Sequence, residues 1–285
     1  MNIHTFDDIT NPPSQKVKTS MQPQNPNETT STSVISPGNF KIKSFYFSII
    51  IINCIIYLIE LAFFYIIYRK THWSCILFLL GAKETPAICY NKQIWRFITP
   101  IFLHGSLLHL ITNTLSICFI VFYIESKIGW LKTALLYFFA GFIGNLISAV
   151  TNISSIGVGA SGRIMGSTGL LMVYYILNYH KMNFNEKKFF LYFAGITVIN
   201  LFSNQTGKDG NKVDNFAHIG GFVSGVALGL FLLEKWIDYA YYPVNLVKRL
   251  KLIFIVCFGI MFVGCVMYLV VRKDWGGSLI GVCRY

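Results

Sequence analysis

Seven predominantly apolar stretches, most of them about twenty residues long, recur between Ser44 and the C-terminus, and no other feature restricts the fold so severely. They run from Ser44 to about Tyr68, His104 to Tyr123, Leu131 to Val150, Gly159 to Asn178, Phe189 to Phe202, Asn215 to Leu233, and Leu252 to Val271, the fifth being the shortest. A helix of that length crosses the hydrocarbon of a bilayer, where every backbone N–H and C=O has to find its partner inside the protein. The pattern therefore predicts an all-α polytopic membrane protein. Composition agrees: 54% hydrophobic and 13% charged residues are the proportions of a chain solvated by lipid.

The formal charge of +12 would suggest nucleic acid in a soluble protein. Here the basic residues sit mainly in short connections, where lipid headgroups and topology account for them and no nucleic acid is implied. No apolar stretch precedes Ser44, so the first helix is expected to act as its own insertion signal, with the N-terminus cytosolic. That orientation puts thirteen Lys and Arg on inner segments and ten on outer ones, a small bias of the right sign. Residues 1–43, rich in Asn, Pro, Ser, Thr and Gln, predict a disordered cytosolic tail. A core of residues 44–233 follows, and then a C-terminal part, 234–285, with a cytosolic connection, the seventh helix and a short tail.

The first connection, residues 69–103, carries Trp73, Ile76, Leu77, Phe78, Tyr90 and Trp95 and is expected to lie in the outer interface, packed on the bundle. The segment from Tyr239 to Lys251 reads as a cytosolic interfacial connection. Seven cysteines include no C-x-x-C pair and no Cys/His metal spacing, so no metal is expected. Cys75, Cys89 and Cys283 fall on the non-cytosolic side, where a disulfide persists, and three candidates leave the pairing open.

Strongly polar side chains inside a spanning run are expensive, which makes each one a functional suspect. His109 and Asn113, four residues apart, project from one helix face and are able to donate to a single oxygen, although both residue types also serve as polar glue between helices. Ser161, in Gly159-Ala160-Ser161-Gly162, stands where a helix starts and its amides are exposed, an environment suited to a developing oxyanion. A serine needs a base to become a nucleophile, and His218 is the natural candidate. Gly162 and Gly166 in one run, and Ala217, Gly221, Gly225 and Gly229 in the other, have the four-residue spacing that lets membrane helices touch backbone to backbone. Asp214, one turn before His218, is expected to cap that helix rather than orient the imidazole, which leaves a dyad.

In this order, Trp95-Arg96, His104 through His109 with Asn113, Gly159-x-Ser161-Gly162, and Ala217-His218-x-x-Gly221-x-x-x-Gly225 resemble the signature of the rhomboid proteases. The likeness extends over about Phe45 to Leu233 and takes in Gly81-Ala82-Lys83, Glu125, Gly129, Tyr137, Gly141, Gly144, Asn145 and Ser148. It implies a six-helix core with one added C-terminal helix, similar to members of the eukaryotic secretory pathway, placed there or at the plasma membrane. It also implies hydrolysis of peptide bonds in or near single-span membrane substrates, without cofactor. Ser161 would be the nucleophile and His218 the general base; His109, Asn113 and the backbone N–H of Ser161 would form the oxyanion hole. His104 matches a family position but is assigned to hydrogen bonding, not chemistry.

Two residues depart from the family pattern. Met165 replaces an aromatic that usually stacks on the histidine, and Arg163 replaces a small or apolar residue. An unpaired arginine in a membrane helix costs about 2.5–3.5 kcal/mol, so Asp214 or Glu60 is expected to pair with it. Two other readings compete with a protease. An inactive relative that binds or sorts membrane clients typically lacks the serine or histidine present here, and a transporter would show an inverted repeat that this chain lacks.

Overall fold

Backbone groups in hydrocarbon have no water to bond, and the chain meets that constraint with helices. The computed structural model describes residues 44–67, 72–202, 214–280 and 283; the predicted tail of residues 1–43 lies outside them. Helix α1 (Phe45–Ala62) continues through a π turn (Phe63–Ile67) into the first loop, which holds α2 (Trp73–Leu79), α3 (Thr85–Asn91) and two 3-10 turns (Ile94–Phe97 and Thr99–Phe102). Then α4 (Leu107–Ser116), a π turn (Ile117–Val121) and α5 (Phe122–Ile128) run on as one rod. The remaining helices are α6 (Trp130–Thr151), α7 (Ser161–Asn178), α8 (Phe184–Phe202), α9 (Asn215–Leu232) and α10 (Val244–Val271). Among the described residues the only β pairing is one antiparallel bridge between Lys83 and Gly157.

Five of these rods are long and apolar enough to cross a membrane: Phe45–Ile66, Leu107–Ile128, Trp130–Thr151, Asn215–Leu232 and Val244–Val271. The sequence predicted seven spans. Of the other two, α7 carries Arg163, Ser167, Thr168 and three glycines, and α8 gathers Glu186, Lys187 and Lys188 in its first turns. Helix α7 tolerates polar residues because it is enclosed by protein, packed against α9 and α6 and buried along most of its length. The opposite extreme is α10, in which Val247 alone is buried; Ile255, Ile260, Val263 and Val270 face outward as in a lipid-exposed helix.

Helix boundaries follow local chemistry. The second rod begins at Leu107 rather than His104 because Ser106 is its N-cap, its hydroxyl accepting from the His109 N–H at 3.2 Å. Helix α10 begins two turns before the predicted Leu252, directly after Pro243, and takes Lys248, Arg249 and Lys251 out of the expected connection into a helix. Ser44 gives α1 no side-chain cap. Instead the Glu125 carboxylate of α5 accepts from the N–H groups of Phe45 and Tyr46, both at 2.9 Å, which places negative charge at a helix N-terminus and ties the first two rods together.

The first loop packs as a small structured layer. Arg96 is buried beneath it and donates to the carbonyls of Phe78 (2.8 Å) and Ala82 (2.7 Å) while its guanidinium covers the Phe78 ring at 4.2 Å. Trp95, its sequence neighbour, is half exposed. The segment after α10 folds back on this layer. Tyr90 accepts from the Trp275 N–H (2.7 Å), Glu84 accepts from the Leu279 N–H (2.8 Å) and the Ser278 hydroxyl (3.1 Å), and Cys75 is bonded to Cys283. Of the three candidate cysteines, Cys89 is the one left free.

Candidate active site

Glycines bring two of the described helices into backbone contact. A Cβ added to Gly221 would lie 1.8 Å from the Gly162 carbonyl oxygen, and one added to Gly225 would lie 1.8 Å from that of Gly166. Helices α7 and α9 therefore touch backbone to backbone along the small-residue faces predicted for them. At the upper end of this contact the Gly162 backbone faces Ala217 and Gly221. Ser161 and His218 are the adjacent residues, one on each helix.

Ser161 is the first residue of α7, and the turn that leads into it is held from two sides. Lys83 and Gly157 exchange both backbone hydrogen bonds (2.9 and 3.0 Å), and the Gly159 N–H donates to the Pro100 carbonyl at 2.9 Å. Gly159 has φ 116, where side chains are strained, and a Cβ there would lie 2.5 Å from His109 Cε1 and 2.7 Å from His109 Nε2. Glycine at this position thus lets the imidazole lie directly against the turn, with the Asn113 amide nitrogen at ordinary contact distance beside it. The predicted shared face of His109 and Asn113 is aimed at the residues before Ser161.

The ring nitrogens of His109 are distinguishable. Nδ1 accepts from the Gly105 N–H at 3.4 Å, so the neutral ring carries its proton on Nε2, on the side of the ring that lies against Gly159. Asn113 Nδ2 and His218 Nδ1 are buried and have no hydrogen-bond partner. Unpartnered donors and acceptors are costly in a protein interior, which makes both atoms candidates for a role in the site. Among the described residues no hydrogen bond joins Ser161 to His218. His104 lies to one side: its N–H donates to Glu60 at 3.0 Å, its Nδ1 bonds the Phe102 carbonyl, and its ring meets His109 edge to face at 5.5 Å.

Neither predicted partner of Arg163 pairs with it, and its Nε and Nη1, like Glu60 Oε2, are buried without a hydrogen-bond partner. Glu60 accepts from His104, while Asp214 takes Ser148, Lys83 and its own helix N-terminus. Arg163 is fully buried, donates to the Ile101 carbonyl, and lies over the rings of Tyr137 (4.5 Å) and Phe102 (5.7 Å). Aromatic faces offset part of the desolvation of a buried guanidinium, on the order of 2 kcal/mol for such a contact. Met165 is buried two residues further on.

Asp214 caps α9 as predicted, accepting from the Ala217 N–H at 3.2 Å. Sequence reasoning missed its other contacts. Lys83, wholly buried in the first loop, donates to the Asn152 carbonyl at 2.9 Å and stands 3.9 Å from Asp214, and Ser148 of α6 donates to the same carboxylate. Burial pushes the Lys83 ammonium down to about 8 against the opposing pull of Asp214 and Glu84. The Gly81-Ala82-Lys83 triplet in the first loop was the one available signal.

A rhomboid domain model matches residues 91–235 of the chain. RHOMBOID-like protein 1 of Arabidopsis thaliana is 35% identical over 167 residues, 58% of this chain and 42% of that protein. Rhomboid-like protease 3 of Toxoplasma gondii is 33% identical over 172 residues, 58% of this chain and 64% of that protein. The inactive RHOMBOID-like protein 8 of Arabidopsis thaliana is also 33% identical, over 55% of this chain and 43% of its own length. The chain spans about half the length of these relatives. With a domain match across half of its residues, and with that match enclosing His109, Asn113, Ser161 and His218, the chain belongs to the rhomboid family.

Proposed function

We propose that the protein is an intramembrane serine endopeptidase that cleaves peptide bonds in or near the transmembrane segments of single-span substrates. Ser161 Oγ attacks the scissile carbonyl and passes its proton to His218, which returns it to the departing amine; water then hydrolyses the acyl-enzyme by the same path. The Nε2–H of His109, the Nδ2–H of Asn113 and the N–H of Ser161 receive the oxyanion. One observation carries this reading: the glycine contact of α7 with α9 sets Ser161 and His218 on adjoining backbones, and the turn before Ser161 lies against His109 with the unpartnered Asn113 amide nitrogen near it. The chemistry uses no cofactor. Six helices, α10 excluded, make up the protease core, and the first loop faces an oxidising compartment of the secretory pathway or the cell surface, in keeping with a disulfide at Cys75.

A second reading is favoured by one feature, the lack of a Ser161–His218 hydrogen bond, together with a relative named as inactive. In that case the protein binds membrane clients without cutting them. Catalytic hydrogen bonds often tighten only in the substrate complex, so the resting geometry is compatible with both. Purified protein in detergent, given a single-span substrate with a helix-destabilised segment, distinguishes them. Cleavage that Ser161→Ala abolishes without unfolding the protein supports the protease. Client binding without cleavage, equal in wild type, Ser161→Ala and His218→Ala, supports the client-binding protein.

A further inference from the structure

Lys83 reaches three separate parts of the site. Its backbone is zipped to Gly157, two residues before the turn at Gly159. Its ammonium holds the Asn152 carbonyl at the end of α6 and faces the Asp214 carboxylate that caps α9. Asp214 in turn accepts from Ser148 and from the Ala217 N–H, and its carbonyl accepts from the His218 N–H at 3.2 Å. The helices that carry Ser161 and His218 meet at the glycine contact and both pack on α6, whereas Lys83 ties the turn before Ser161 to the start of the histidine helix.

We propose that the Lys83–Asp214 ion pair is a positioning device that holds the N-terminus of the histidine helix in register with the serine turn. The inference rests on the protease reading above. Neither residue touches substrate. An ion pair excluded from water is stiff, and breaking it by removing one charge leaves the other uncompensated. A small displacement of a base from its nucleophile is enough to slow proton transfer strongly.

The test uses the full-length protein in detergent with three variants: Lys83→Met, which keeps the apolar stem; Asp214→Asn, which keeps the capping oxygen; and the double substitution. Steady-state cleavage gives kcat and KM, an alkyl fluorophosphonate probe reports the labelling rate of Ser161, and thermal unfolding reports stability. Each single variant is expected to lose on the order of 10- to 100-fold in kcat and in labelling rate, with KM within about twofold of wild type. The double variant is expected to be no slower than the slower single one, since either change removes the same pair. Wild-type kcat and labelling in both single variants, or fully additive losses, overturns the proposal while leaving the protease reading intact. A loss of activity that tracks a matching loss of thermal stability also overturns it, reassigning the pair to folding. A wild type that neither cleaves substrate nor labels at Ser161 defeats the protease reading and the positioning role with it.

Discussion

At the scale of single residues, the proposed site rests on a few side chains whose surroundings are unusual. Asn113 points a buried amide nitrogen at no partner, and His109 lies against a glycine whose Cβ would collide with it. If these two side chains receive an oxyanion, His109→Ala and Asn113→Ala each lower kcat by about 10²–10³ and change KM little, as steady-state cleavage kinetics will register. Lys83 supplies a prediction in pH. Its pKa is lowered to about 8 in the folded protein, with Asp214 and Glu84 the charges that face it, against an ordinary 10.5. Between those values the unfolded chain keeps a proton that the folded chain has released, so this group's contribution to stability rises with pH across the window. The ion pair with Asp214 is lost across the same window. Thermal stability and kcat are therefore expected to diverge above about pH 8 in the wild type, and Lys83→Met, which has no such proton, removes the divergence.

At the scale of elements, the contact of α7 with α9 is set by the absence of side chains. Gly221→Ala puts a methyl group 1.8 Å from the Gly162 carbonyl oxygen, a backbone atom that cannot swing aside. The helices have to separate, at a cost of about 1–3 kcal/mol or more, and Ser161 moves away from His218. Gly195, on α8, has nothing within 4 Å of an added Cβ. Gly195→Ala is expected to leave activity unchanged and to stabilise its helix by up to about 1 kcal/mol. Thermal unfolding of the two variants side by side, with cleavage measured on each, checks the pair. Equal tolerance of both would mean that the contact is looser than the structure has it.

At the scale of the whole molecule, polar and aromatic groups collect at two ends. One end holds the first loop, the segment after α10 and the disulfide between them. The other holds Lys181 on Asp238 (2.7 Å), Lys251 on Glu234 (3.2 Å), and Lys127 facing Tyr123, Tyr174 and Trp236. Thiol labelling of the denatured, unreduced protein is expected to count five cysteines, and seven after reduction. Because the bridge joins residues 208 positions apart, Cys283→Ser is expected to destabilise the protein by about 2–4 kcal/mol and to expose the first loop to limited proteolysis. Glycosylation sites inserted beside Trp275 and beside Lys181 should report opposite sides of the membrane.

The sequence alone determined that the chain is helical and membrane-embedded, because apolar runs of this length have no other stable state. It also singled out His109, Asn113, Ser161 and His218, because polar groups are conspicuous against lipid-compatible surroundings, and it placed the small-residue faces that bring α7 and α9 together. The tertiary structure decided what depends on distant partners. The runs at α7 and α8 read as spans although neither is apolar enough to count as one, and only packing separates them: α7 is enclosed by protein, whereas α8 leaves most of its side chains exposed. The partner of Arg163 turned out to be two aromatic rings and a carbonyl rather than either predicted carboxylate, a choice set by packing that linear order does not carry. The choice of Cys283 for Cys75, and of Asp214 for Lys83, joins residues more than a hundred positions apart, where linear order carries no information about distance.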